Sequence, residues 1–180
     1  VNNSLLKKEL LLRSLSSIFL ITIAVAFNIL GSFYFFSLIL LLQIIILKEF
    51  YDLFYIKTSN IGFYFSCLVL IITSSLGFLG YFYHIIIPFL LAISISSFYY
   101  KKNYLIISFS YVYINAPALI LIYLNNYKPD GHLLILQAFV IVWSADIAAY
   151  IFGNIIKGPK LWKKISPNKT WSGFFCSIFI

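Results

Sequence analysis

The sequence predicts an all-α fold, a polytopic membrane helix bundle of about six transmembrane helices plus the start of a seventh. Three observations carry this reading. Hydrophobic residues make up 62% of the 180 residues and charged residues only 10%, against roughly a quarter charged in an ordinary soluble domain. The charges leave four uninterrupted runs, 14–47, 58–100, 103–127 and 131–145; the first two are each long enough for two helices of about 20 residues. Finally, the basic residues collect between alternate helices rather than between all of them.

Hydropathy and turn signals place the helices at 15–30, 34–47, 61–79, 85–98, 104–124 and 133–152. Gly31-Ser32 divides the first long run and the segment 80–84 divides the second, with glycine as the punctuation. Lys7, Lys8 and Arg13 precede the first apolar run as they would in a signal peptide. No small-residue cleavage site follows and further spans do, so the segment reads as a retained helix. Lys48 and Lys57 follow helix two, Lys101 and Lys102 follow helix four, and Lys157, Lys160, Lys163, Lys164 and Lys169 follow helix six. The opposite side receives Lys128 alone, so twelve of the 13 basic residues fall on one side. The positive-inside rule then puts the N-terminus and the segment after helix six in the cytoplasm, with the protein in the cell (inner) membrane. Aromatic pairs near helix ends, such as Phe33-Tyr34 and Tyr99-Tyr100, suit interfacial anchoring. No internal repeat is evident, and residues 1–180 read as a single membrane domain.

A net charge of +8 raises the question of nucleic acid. That partner needs a contiguous basic face, whereas these lysines sit in small groups between apolar runs, so nucleic acid is excluded. Cys67 and Cys176 lie far apart in apolar runs, without a C-x-x-C spacing, and indicate neither a zinc site nor a disulfide.

Function therefore rests on polar groups that lipid would penalise. Asp146 lies inside "VIVWSADIAAYIFGN", with no basic residue within two turns in sequence. A carboxylate at such depth costs a few kcal/mol even on the mildest insertion scale. Asp146, Tyr150 and Gly153 fall at i, i+4 and i+7 and share one helix face. Ala145, Ala148 and Ala149 would let another helix approach closely. A packing face with one hydrogen-bonded polar residue is the plainer alternative; a carboxylate lining a hydrated or metal-containing cavity is the expectation. Glu49 and Asp52 in "LKEFYDLF" read as a hydrated turn, and His84 and His132 as surface residues.

The segment "IIKGPKLWKKISPNKTWSG" is more than a positive-inside loop. Gly158-Pro159 and Ser166-Pro167 each set a turn, and Trp162 and Trp171 are amphipathic anchors. Lys163, Lys164 and Lys169 can complement an anionic ligand as point charges, with hydrogen bonds from Ser166 and Thr170. Attraction to anionic lipid headgroups would account for the charge equally well.

"WSADIAAYIFGN" followed by "ISPNKTWSGF" resembles the central part of the phosphatidate cytidylyltransferase (CDP-diacylglycerol synthase) family, through Asp146, Ala149-Tyr150, Gly153, Ser166-Pro167, Lys169-Thr170-Trp171 and Gly173. The resemblance implies a membrane enzyme that transfers cytidylyl from CTP to phosphatidic acid, releasing pyrophosphate, with Mg2+ required. CTP, phosphatidic acid and the bilayer are the implied partners, and a homo-oligomer is left open. It implies Asp146 and Lys169 as catalytic residues, Asp146 also as metal ligand, and Ser166, Thr170, Lys163 and Lys164 as substrate contacts. Ser172 stands where the family commonly has Glu, and the family's aspartate-rich C-terminal signature has no counterpart, so the sequence is expected to be the N-terminal and central portion of a longer pattern. A non-enzymatic membrane protein, such as a transporter subunit or a degenerate scaffold, is the competing class.

The charge asymmetry generates a topological test. With Cys67 and Cys176 replaced by Ala, a single cysteine at Asn168 is expected to react with a membrane-impermeant thiol reagent only from the cytoplasmic side, and one at Asn126 only from outside. Labelling of both from the same side contradicts the six-helix topology.

Overall fold

The computed structural model describes residues 3–56, 61–100, 103–156, 158–162 and 166–179. In chain order the elements are α1 (Asn3–Leu30), α2 (Ser32–Leu53), α3 (Ile61–Phe78), a 3-10 turn (Phe82–Ile85), α4 (Ile86–Tyr100), α5 (Tyr104–Tyr127), α6 (Gly131–Ile156), β1 (Lys160–Trp162), β2 (Ser166–Thr170) and α7 (Trp171–Ile178). The all-α polytopic bundle expected from the sequence is the fold observed, with one addition: a two-stranded antiparallel hairpin between α6 and α7.

Among the described residues, five helices, α2 to α6 with the 3-10 turn counted into the α4 span, are long and apolar enough to cross a membrane. The first expected span differs. Its apolar part, Leu15–Leu30, is shorter than these five and forms the end of a helix that begins at Asn3. The extra turns run through the polar start of the chain, which carries no proline or glycine to stop a helix.

The breaks fall at the expected glycines for a conformational reason. Gly31 at φ +72° separates α1 from α2, and Gly80 at φ +84° follows α3; both lie in the left-handed region that side chains disfavour. Beside the second break the Tyr127 hydroxyl donates to the Phe78 carbonyl at 2.6 Å, satisfying a helix-end acceptor.

Two compact units make up the chain, Val1–His132 and Leu133–Ile180. In the first, α5 packs against α2, α3 and α4. Its apolar core gathers Leu47, Val69, Leu70, Ala92, Ile107 and Ile114. Large apolar side chains such as Leu41, Leu68, Phe98, Phe109 and Ile120 remain exposed around it, as a helix bundle solvated by lipid requires.

Among the described residues, buried Asn28 accepts at Oδ1 from Asn125 Nδ2 at 3.0 Å and so joins α1 to α5, and two larger networks of buried polar side chains join the other helices of this unit. Near the middle, the Gln43 amide nitrogen donates to Asn115 Oδ1 at 3.3 Å, Thr73 Oγ1 lies 2.8 Å from the same oxygen, and Ser74 Oγ donates to Gln43 Oε1 at 2.8 Å. Toward one end, Ser66 Oγ is 2.7 Å from the Tyr51 hydroxyl and 2.9 Å from that of Tyr111, and Tyr51 reaches Tyr100 at 3.3 Å. Each network joins α2, α3 and α5, and the second adds α4. Lipid tails offer these groups no alternative partners, so the networks fix which helix faces meet.

The central network makes a stability prediction. Gln43→Leu keeps the volume but leaves Ser74 and Asn115 short of a partner, so unfolding in detergent is expected to become easier by about 1 kcal/mol. The double variant Gln43→Leu/Asn115→Leu is expected to lose less than the sum of the single losses, because the two side chains share one interaction. Additive losses contradict the coupling.

Candidate active site

The second unit is built from the end of α6, the hairpin and α7. After α6, Gly158 and Pro159 lead into β1, which pairs antiparallel with β2, Lys160 opposite Thr170 and Trp162 opposite Ser166, with an irregularity between those two pairs. The Trp171 amide donates to the Pro159 carbonyl at 3.0 Å and closes the hairpin's base. Thr170 is extended, at φ −117° and ψ 154°, and its hydroxyl accepts from the Gly173 amide at 3.3 Å, the geometry of an N-cap. The same hydroxyl lies 3.0 Å from Ser172 Oγ.

These elements surround a cleft of about 660 Å³. From α6 come Ala145, Asp146, Ala149, Tyr150, Gly153 and Asn154; the hairpin adds Lys160, Leu161, Lys169 and Thr170; α7 adds Gly173, Phe174 and Ser177. Asp146, Tyr150 and Gly153 thus do share one face, and that face opens on the cleft. Asp146 is exposed there, and among the described residues no hydrogen bond or ion pair engages its carboxylate. Lys160 and Lys169 are exposed as well. One carboxylate and two ammonium groups from three different elements therefore face a common space, and a polyanion with an accompanying cation fits that charge pattern.

Among the described residues no three His, Cys, Asp or Glu side chains come together, and Asp146 is the one carboxylate in the lining. This donor set does not make a closed metal cage. It does fit Mg2+, which keeps several waters and is commonly held by one or two carboxylates together with substrate phosphates.

Of the residues singled out in the sequence, Asp146, Lys169 and Thr170 meet in the cleft. Thr170 does so with its hydroxyl already engaged by Gly173 and Ser172. Ser166 starts β2 but is not among the described lining residues. Lys163 and Lys164 lie outside the described residues. Glu49 and Asp52 are exposed but lie within the last turns of α2, not in the turn expected there, because the helix continues through the charged residues to Leu53; His84 and His132 are exposed, and Cys67 and Cys176 are free thiols.

Lys160, Asn154 and Ser177 line the cleft without having been anticipated. Asn154 and Ser177 lie one residue past Gly153 and four past Gly173, so extending those two helix faces would have found them. The place of Lys160 depends on the hairpin register, which no local pattern discloses.

Comparison with known proteins bears on what this cleft serves. The model of the cytidylyltransferase family matches residues 11–180. The chain belongs to this family. Curated relatives in it include a phosphatidate cytidylyltransferase of Brucella suis, 49% identical over 61 residues that cover 34% of this chain and 23% of the relative. The phosphatidate cytidylyltransferase of Staphylococcus epidermidis is 48% identical over 62 residues, 32% of this chain and 24% of its own length. The Staphylococcus haemolyticus protein of the same name is 47% identical over 57 residues, 29% of this chain and 22% of its own. The matched stretches thus span about a quarter of these relatives. No solved structure matches the chain.

Proposed function

We propose that this cytidylyltransferase-family protein makes CDP-diacylglycerol from CTP and phosphatidic acid at the cytoplasmic face of the cell (inner) membrane. The observation that carries the reading is the convergence of Asp146, Lys160 and Lys169 in one cleft, on a membrane-spanning helix and the hairpin that follows it. A phosphatidate oxygen attacks the α-phosphorus of CTP; the bond from that phosphorus to the bridging oxygen breaks, and pyrophosphate leaves with the electron pair. Both substrates are polyanions and one is anchored in lipid, so the site must adjoin the bilayer and supply cations. Lys160 and Lys169 would neutralise and orient phosphate oxygens as point charges. Asp146 would hold Mg2+ jointly with the phosphates, and the ion would supply further neutralisation of charge on the transferring group. Relatives named phosphatidate cytidylyltransferase support the choice of substrates. The basic residues grouped after helices two, four and six support the cytoplasmic orientation.

The test replaces Asp146 by Asn in the complete gene product. Asn preserves size and much of the hydrogen bonding while removing the charge, so insertion and detergent stability are expected to hold. CTP-dependent formation of CDP-diacylglycerol is expected to fall at least about tenfold, some 1.4 kcal/mol of transition-state stabilisation, with residual turnover needing more Mg2+. A folded Asp146→Asn protein with wild-type turnover and unchanged Mg2+ dependence would reduce Asp146 to a packing residue.

A further inference from the structure

We propose that Gly153 and Gly173 are positioning residues: their bare backbones let α7 seat directly on α6, and that seat places Lys169 and Lys160 in the cleft. The inference rests on the function proposed above and goes beyond it by giving the two glycines a mechanical task.

The contact is between main chains. A Cβ built on Gly173 would stand 2.5 Å from the Ala149 carbonyl oxygen and 3.3 Å from the Gly153 Cα. Neither neighbour can rotate away as a side chain does. A Cβ on Gly153 would stand 3.0 Å from Thr170 Oγ1. That oxygen is itself held, by the Gly173 amide at 3.3 Å and by Ser172 Oγ at 3.0 Å, and Thr170 is only 6% exposed. Ala149 and Gly153, four apart, form the α6 side of the seat, the small-residue spacing that lets membrane helices approach closely.

Conformation does not explain these glycines, because both are helical and neither has the positive φ of Gly31 or Gly80. Within a helix alanine is intrinsically the better residue by about 1 kcal/mol, so local propensity argues against glycine at both positions. Space is what remains. Thr170 joins the seat to the chemistry: it precedes Gly173 by one turn, follows Lys169 directly, and pairs with Lys160 across the hairpin. Whatever displaces Thr170 displaces both lysines.

The test uses the complete gene product and four substitutions, measuring CTP-dependent CDP-diacylglycerol formation and detergent melting. Gly173→Ala is expected to lower kcat at least tenfold in protein that remains folded. Gly153→Ala is expected to lower it about threefold or more when Thr170 is present. In a Thr170→Ala background, where the obstructing oxygen is gone, Gly153→Ala is expected to cost less than 1.5-fold further. Thr170→Ser, which keeps the capping oxygen, is expected to cost less than Thr170→Ala. Should Gly173→Ala not fold, the Gly153 and Thr170 cycle decides alone. Equal costs of Gly153→Ala in both backgrounds, or a folded Gly173→Ala protein within twofold of wild type, overturn the proposal. If the wild-type protein makes no CDP-diacylglycerol, the functional reading fails separately, and the same cycle read in melting temperature still decides the seat: coupling supports it and additivity overturns it.

Discussion

A bilayer core supplies no hydrogen bonds, and every polar group placed there must find a partner in the protein or face a hydrated space. The first unit takes the former course. Gln43, Thr73, Ser74 and Asn115 meet one another, and so do Tyr51, Ser66, Tyr100 and Tyr111. The second unit takes the latter: Asp146, Asn154, Lys160, Lys169 and Ser177 border a cleft. The same constraint thus yields a pinned scaffold in one unit and a polar cleft in the other.

The two kinds of polar site differ in charge as well as exposure. The scaffold networks are neutral and made of hydroxyls and amides, which pair at modest cost, with the buried Asn115 Nδ2 left without a partner among the described residues. The cleft is lined by ions that lipid would strongly penalise and that a charged ligand can use. The hairpin reconciles these ions with the membrane: a short antiparallel ladder carries Lys160 and Lys169 back beside α6, and the Thr170 cap starts α7 at once.

Much of this was legible in the chain because it depends on local patterns. Charge-free runs gave the helices, Gly31 and Gly80 marked breaks that need positive φ, and i, i+4, i+7 spacing put Asp146, Tyr150 and Gly153 on one face. The order Ser166-Pro167, Lys169-Thr170-Trp171, Gly173 after that face pointed to the family that the whole-chain comparison gives. What could not be read depends on pairing at a distance. Gly158-Pro159 and Ser166-Pro167 signal turns, but Ser166 and Pro167 lie in strand β2, whose ladder with β1 no local pattern shows, so in the sequence Lys160 counts only as topological charge. Nor does the sequence show that Gly173 and Ser172 engage the Thr170 hydroxyl. The helix partners of Gln43 and Asn115 were hidden for the same reason, being 72 residues apart.

The central claim is that the cleft between α6, the hairpin and α7 takes the nucleotide. Its most direct measurement is photolabelling of the membrane-embedded complete gene product with a photoreactive CTP analogue, followed by mass-spectrometric mapping of the modified peptides. The account predicts labelling within residues 145–177 that excess CTP suppresses and excess ATP does not. Labelling confined to α1–α5, or labelling that CTP fails to suppress, would contradict it.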